Sequence, residues 1–355
     1  MTRTRLLLAL GVGLAVAPLA CAAAWYALWE LPARREAAAL TESLRARSSD
    51  LAHHGWVRPV LRGTSLPGNA ATEAQSVAEA RTLDLDALAR STQHSVAALS
   101  DPLLDPSSPR SPDSGAHLRA VRVLLARARA RPPAACLRSA ADAIRLAQDH
   151  VSGGGILRLA IASSEIAAAV PVAVHCARDA NPTELRTAGK EIESLARHPA
   201  PSGDALAGEA LYAAGTLRDD WLLRPKWPLE NPYRRLSAWR SALERADAFE
   251  HVDPSRYPEG LAELDAAAGE QQRSASTAAL DLRRVRRHLL RDMESQAKLR
   301  ALAVALLVRA GAPPPSLKDP FTGAGLRRES TCVWSAGENR LDDRGSLDDV
   351  AVCVR

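Results

Sequence analysis

Apolar positions form one unbroken run near the N-terminus, one internal stretch that is apolar nearly all round, and several amphipathic segments. The N-terminal run, residues 6–29 (LLLALGVGLAVAPLACAAAWYALW), carries no charge. At 1.5 Å per residue it reaches about 36 Å, enough for a hydrocarbon core of about 30 Å. Trp25, Tyr26 and Trp29 would close it as an aromatic belt at the membrane interface. A cleaved signal peptide is the rival reading, since Ala20-Cys21-Ala22 offers small residues at cleavage spacing. Length and belt favour a retained anchor.

The internal stretch is the second arm of a hairpin over residues 133–179. Its first arm, PAACLRSAADAIRLAQDH, is amphipathic, and Gly153, Gly154 and Gly155 then interrupt the helix. Residues 156–176 follow, ILRLAIASSEIAAAVPVAVHC, and a helix of that composition is expected to be wrapped by neighbours on every side. Asn69 and Asn181 read as N-caps, the latter followed by Pro182 and Glu184 in the first turn. Further helices are expected at 84–99, 117–131, 204–223, 232–249 and about 271–309. Pro- and Ser-rich residues 101–115 read as a surface loop, and 54–69 as an extended linker.

After Lys318 the pattern changes to two β-like runs, TCVWSAG and DVAVCVR, separated by an acidic turn. The predicted fold is mainly α: an N-terminal transmembrane helix, an irregular α-helical bundle and a small C-terminal antiparallel β-subdomain. The expected divisions are 1–31 for the anchor, 32–69 for a juxtamembrane helix and linker, 70–315 for the body and 316–355 for the tail.

Composition changes little in this picture. Ala, Leu and Arg dominate a chain of 355 residues, and a net charge of +5 at this length is a weak argument for an acidic partner. Arg283, Arg284, Arg286, Arg287 and Arg291 form a basic patch, but Leu282, Val285, Leu289 and Leu290 run beside it. That pattern reads as a solvated helix face, and no nucleic acid is expected as partner. Arg3 and Arg5 precede the span while Arg34, Arg35, Arg45 and Arg47 follow it, so the positive-inside count places the body in the cytoplasm. The cysteines and the tail argue the other way, and long domains cross largely regardless of such charges. The expected location is the inner membrane, single-pass, with the body in the periplasm.

Of five cysteines, Cys21 lies in the span; Cys136, Cys176, Cys332 and Cys353 allow three connectivities. Pairing within each region, Cys136 with Cys176 and Cys332 with Cys353, leaves none over, as an oxidising compartment favours. Catalytic signatures are missing: the chain has no HExxH, CxxC, phosphate-loop or GxSxG pattern. Glu165 in IASSEIAAAV and Glu209 in LAGEALYAAG are the odd residues. They read either as a carboxylate pair lining a cleft, fit for a hydrolase or a ligand-binding module, or as buried ion-pair members that fix packing, with Arg158 facing Glu165. The second reading is favoured, because nothing supplies a nucleophile or metal beside them.

Lys318, Asp319, Pro320, Phe321 and Gly323, followed by Trp334, Ser335 and Gly337, resemble the C-terminal domain of type II secretion major pseudopilins. In that family a long helix leads into such a turn, then a strand ending in Ser-x-Gly and an acidic loop that binds calcium. The resemblance implies a calcium site formed from Asn339, Asp342, Asp343, Ser346, Asp348 and Asp349, with Asp343 and Asp348 foremost. The four carboxylates also repel one another unless a hard cation gathers them. The N-terminus lacks the pseudopilin leader and cleavage motif, so polymerisation as a pilin is not expected. Arg58–Gly63 and Pro67–Ala70 make the chain similar also to membrane-anchored bacterial proteins with an RPVLRG-x-x-x-PGNA segment and this same tail. The expected function is that of an anchored envelope protein with a structural or protein-interaction role, linked to secretion or pilus assembly, with the membrane and other envelope proteins as partners.

Overall fold

The computed structural model describes residues 16–32, 34–36, 38, 39, 42, 84, 87, 88, 90, 114–151, 155–200, 202, 203, 205, 206, 257–273, 282–346 and 348–354. Its body is built from α1 (Ser114–Arg129), α2 (Pro133–Gln148), α3 (Gly155–Ala177), α4 (Pro182–Arg197), α5 (Tyr257–Arg273) and α6 (Leu282–Arg309). A three-stranded antiparallel sheet follows, with β1 (Arg327–Glu329), β2 (Cys332–Ser335) and β3 (Val350–Cys353) in that order. Mainly α with a small C-terminal sheet is therefore the fold.

Helix α3 is the central element, and α1, α2 and α6 all pack on it. It is also the one helix among the described residues long and apolar enough to cross a membrane, yet it is mostly buried inside the protein. One stripe departs from the expectation of complete wrapping. Leu157 (71% exposed), Ser164, Ala168, Pro171 and His175 lie open along one side, because no described helix covers that face. The N-terminal apolar helix is seen over Val16–Leu28, ending in a π-helical turn at Tyr26–Glu30. Arg34 there pairs with Glu30 and lies 5.9 Å from the centre of the Tyr26 ring.

Local chemistry explains the helix ends. Asn181 Oδ1 accepts from the N–H of Thr183 and of Glu184, both at 3.0 Å, while Glu184 Oε2 accepts the Asn181 N–H at 2.9 Å. This reciprocal cap, with Pro182 in the first turn, stabilises α4 by about 1 kcal/mol. Between α4 and α6 the backbones approach closely: a Cβ on Gly189 would lie 2.7 Å from Leu307 Cγ and 3.3 Å from Leu307 N. Arg145 on α2 bridges Asp142 at 3.0 Å and Glu191 on α4 at 2.6 Å.

Two expected boundaries change. The region expected as one helix from about 271 to 309 divides between α5 and α6, and α5 begins at Tyr257 with Pro258 and Glu259 in its first turn. Helix α1 starts earlier than residue 117, which carries His117 and Arg119 to full burial. Most of the expected helices at 84–99 and 204–223, all of that at 232–249, the linker at 54–69 and nearly all of the loop at 101–115 lie outside the described residues.

The tail is not a separate unit. Val333, Val352 and Val354 belong to the same apolar core as Leu299, Leu302 and Leu306 of α6, and each buried valine contributes roughly 1.5–3 kcal/mol. Val350 and Val352 face inward while Ala351 faces out, as the alternation predicts.

Candidate functional site

Three helices deliver ionisable groups to one apolar interior. His117 comes from α1, Asp149 and His150 from the turn that ends α2, and Glu165 from α3. His117 Nε2 lies 3.6 Å from Asp149 Oδ2, and His150 Nε2 lies 3.5 Å from Glu165 Oε2. The two imidazoles meet edge to face at 5.9 Å. An acid, two imidazoles and a second acid thus form a row across α1, α2 and α3, with both histidines and Asp149 fully buried.

Burial decides the charge of the Glu165 end. It pushes the Glu165 carboxyl well above its ordinary range; Arg122 opposes this and Asp149 adds to it. Burial likewise pushes His150 well below its ordinary range, aided by His117 and Arg158. Both shifts favour the uncharged forms, which lessens the cost of a dry charge. Neither Glu165 oxygen nor either His150 nitrogen has a hydrogen-bond partner; 3.5 Å exceeds a normal hydrogen bond.

Glu165 also borders an opening, with both carboxyl oxygens buried behind it. A cavity of about 390 Å³ lies between α1 and α3, with Leu118, Val121 and Leu125 on one wall and Ile161 and Ala168 on the other. Arg122 and Glu165 are its charged or ionisable lining residues. Its one lining serine gives no nucleophile pair: Ser164 Oγ donates to the Ala160 carbonyl at 2.8 Å, and the adjacent buried Ser163 Oγ donates to Leu159 O at 2.8 Å. Glu209, the other carboxylate of the cleft reading, lies outside the described residues. Spacing suggested Arg158 as Glu165's partner; the neighbour within ion-pair distance is His150.

Ser163 lies about 200° around α3 from Glu165 and serves a second buried cluster. There Asp292 Oδ2 accepts from Ser202 Oγ at 2.5 Å and Gln296 Nε2 at 2.7 Å, with Ser163 Oγ 3.5 Å from Oδ1. Tyr257 of α5 joins by donating to Gln296 Oε1 at 3.3 Å. Burial raises the Asp292 pKa to about 6 against these three hydrogen bonds and Arg300. Apart from the i,i+4 pair Asp292 and Gln296 on α6 and the adjacent Asp149 and His150, the members of the row and of this cluster come from separate helices and turns. The available signal was His117 on the apolar face of α1, in register with Val121, Leu124 and Ala128.

Both expected cysteine pairs lie at disulfide distance: Cys136 with Cys176 in the body, Cα atoms 5.7 Å apart, and Cys332 with Cys353 in the tail, 4.0 Å apart and directly opposite across β2 and β3. Cys21, the remaining cysteine, is exposed on the N-terminal helix. The acidic loop separates its members. Asp343 Oδ2 and Asp348 Oδ1 converge on Asn339 Nδ2. Asp342 turns away to Trp334 Nε1 at 2.9 Å and to Arg327; the indole N–H, foremost, holds its carboxyl below the usual range. Asp349 Oδ2 accepts the N–H of Asp343 and of Gly345, and Ser346 Oγ donates to the Asp343 carbonyl. Among the described residues no three acidic, His or Cys side chains converge as metal ligands. Gly337, at φ +65°, is required by the fold here, because a Cβ would meet the Asp348 carbonyl oxygen at 2.3 Å.

No protein-family model, curated protein or solved structure matches this chain.

Proposed function

We propose that this chain is a membrane-anchored envelope protein whose disulfide-clasped helical body presents the C-terminal sheet and acidic loop to other envelope proteins. The pairing of the cysteines carries the reading. One bridge lies in the body and one in the tail, and the cysteine left over, Cys21, sits on the apolar N-terminal helix. Disulfides persist in oxidising compartments, which agrees with a span at residues 6–29 and a body outside the cytoplasm. The described part of that span, with exposed Val16, Leu19 and Leu28, has the apolar surface such an anchor needs.

The presenting role rests on how the tail is mounted. Helix α6 rises about 42 Å over its 28 residues and packs against β2 and β3, with Arg286 near its start bonded to Glu338 just after β2. The loop between them is held in place yet open, with Leu341 65% exposed. In this reading the pseudopilin-like loop takes calcium through Asp343, Asp348 and Asn339, the residues that already converge; Asp342 is committed to Trp334 and Arg327.

A reporter active only outside the cytoplasm, fused after Arg355, tests the topology and should be active. A photo-crosslinking residue at Leu341 should trap a defined envelope protein. A reporter active only in the cytoplasm, or crosslinks confined to cytoplasmic proteins, overturns the reading. The hydrolase alternative finds no support at Glu165, where no hydroxyl or thiol is bonded to His150 or Glu165.

A further inference from the structure

Near its start, helix α6 has two opposed faces. Val285, Leu289 and Met293 are buried against the body, while Arg283, Arg284, Arg287 and Arg291 are all exposed. At about 100° per residue the four arginines share an arc of about 100°, and they run about 12 Å along the axis. The acids of α6 do little to offset them: Asp292 is buried on the inward face, and Glu294 alone is exposed. Acids of neighbouring elements are drawn aside. Asp265 of α5 and Glu338 after β2 both pair with Arg286, which lies outside that arc. Arg287 and Arg291 make no ion pair among the described residues. We propose that this arginine face is a second membrane contact, seated on the anionic phospholipid headgroups of the bilayer that holds the N-terminal anchor.

The chemistry and form of the face select a bilayer. Guanidinium groups pair with phosphodiester oxygens through parallel N–H donors. Basic residues clustered on one helix face are drawn to anionic lipid by about fivefold each. The four side chains are spread along a convex helix surface rather than gathered round a hollow, so they match an extended charged plane and not a single small anion. No Phe, Tyr or Trp interleaves them, whereas surfaces that bind single-stranded nucleic acid stack bases on such rings. Their field is felt locally: His288, at the edge of the arc, is held below its ordinary range by partial burial first and then by Arg291, Arg284 and Arg287. The inference rests on the membrane-anchored reading above. An anchored body stays at the bilayer surface, where its high effective concentration lets a modest attraction dock it.

The test uses the full chain in nanodiscs, one set of phosphatidylcholine and one mixed with phosphatidylglycerol, with a diazirine-bearing residue at exposed Glu294. Lipid adducts counted by mass spectrometry are expected in the phosphatidylglycerol discs, several-fold fewer in phosphatidylcholine, and fewer again when salt is raised. Arg287→Gln together with Arg291→Gln should lower the ratio of docked to free body by about twenty-five-fold, at about fivefold each. Both side chains are exposed, so an unchanged melting temperature confirms the fold of that variant. Equal adducts in the two lipids, or adducts undiminished in the double variant, would overturn the proposal. So would labelling of an acidic protein in place of lipid when the same residue is activated in cells. Failure of the anchored reading shows separately, as chain that does not co-elute with discs. The arginine face is then tested with the same chain on preformed phosphatidylglycerol vesicles, and a lack of adducts there overturns it too.

Discussion

The Asp319 carboxylate accepts the Ser335 hydroxyl at 2.6 Å, joining the turn after α6 to the end of β2. The same carboxylate accepts the Phe321 N–H at 2.9 Å, the Ala336 N–H at 3.1 Å and the Thr322 hydroxyl at 3.1 Å. Arg300 of α6 adds a bond to the Lys318 carbonyl at 2.7 Å. Asp319 is thus the knot by which the Lys-Asp-Pro turn fastens the sheet to the long helix.

Asp319→Ala would leave buried donors at Ser335 and Ala336 without acceptors. Since each unmet buried donor costs roughly 1–3 kcal/mol, a loss of about 3 kcal/mol is expected. Thermal melts should show it, and limited proteolysis should cut the tail first. Full stability in Asp319→Ala would mean the knot does not hold the tail.

Gly189 and Leu307 predict a steric coupling. Gly189→Ala forces a Cβ into Leu307 Cγ, and the overpacking should cost about 1–3 kcal/mol. Leu307→Ala leaves room for that Cβ, so the double variant should be less destabilised than the sum of the singles. A cycle with no coupling would show that α4 and α6 adjust freely.

Asp292 predicts a pH slope. Its folded pKa of about 6 stands above the ordinary 3.8, so between those values the folded state holds the proton more tightly than the unfolded chain. Stability from this group is greatest below pH 4 and falls as pH rises through 6, by on the order of 3 kcal/mol. Asp292→Asn keeps an acceptor for Ser202 and Gln296 and should flatten that portion of the curve. Denaturant midpoints from pH 4 to 7 in both proteins measure it, and parallel curves would refute the assignment.

The bridge between Cys136 and Cys176 closes a loop with a sequence separation of 40, which contributes about 4 kcal/mol by restricting the unfolded chain. Replacing both cysteines by alanine should lower the denaturant midpoint accordingly. Peptide mapping without reduction should recover the linked pair, and free thiols at both positions would remove the bridge from the account.

Calcium, if the loop takes it, must displace Asn339 Nδ2 from between Asp343 and Asp348. Titration of the full chain is expected to release heat and raise the melting temperature in wild type but not in Asp343→Asn/Asp348→Asn. Equal responses in both proteins would leave the loop as a hydrogen-bonded turn.

The elements whose signals are local were legible in residues alone. The Asn181 cap needs only Pro182 and Glu184 beside it, the β runs show their alternation at Val350 and Val352, and an apolar run like that of α3 declares a core helix. The cysteines paired as their regions suggested because each partner lay within one hairpin or one pair of strands. Only the folded chain could decide the rest. His117, Asp149, His150 and Glu165 become neighbours because α1, α2 and α3 pack together, and no spacing within any of those segments encodes that meeting. The acidic loop shows the same division: its charge density was plain, but which carboxylates converge was set by Trp334 and Arg327 drawing Asp342 aside. Hydrophobic periodicity and capping act within a few residues, whereas the chemistry of a buried carboxyl depends on which helices exclude water from it.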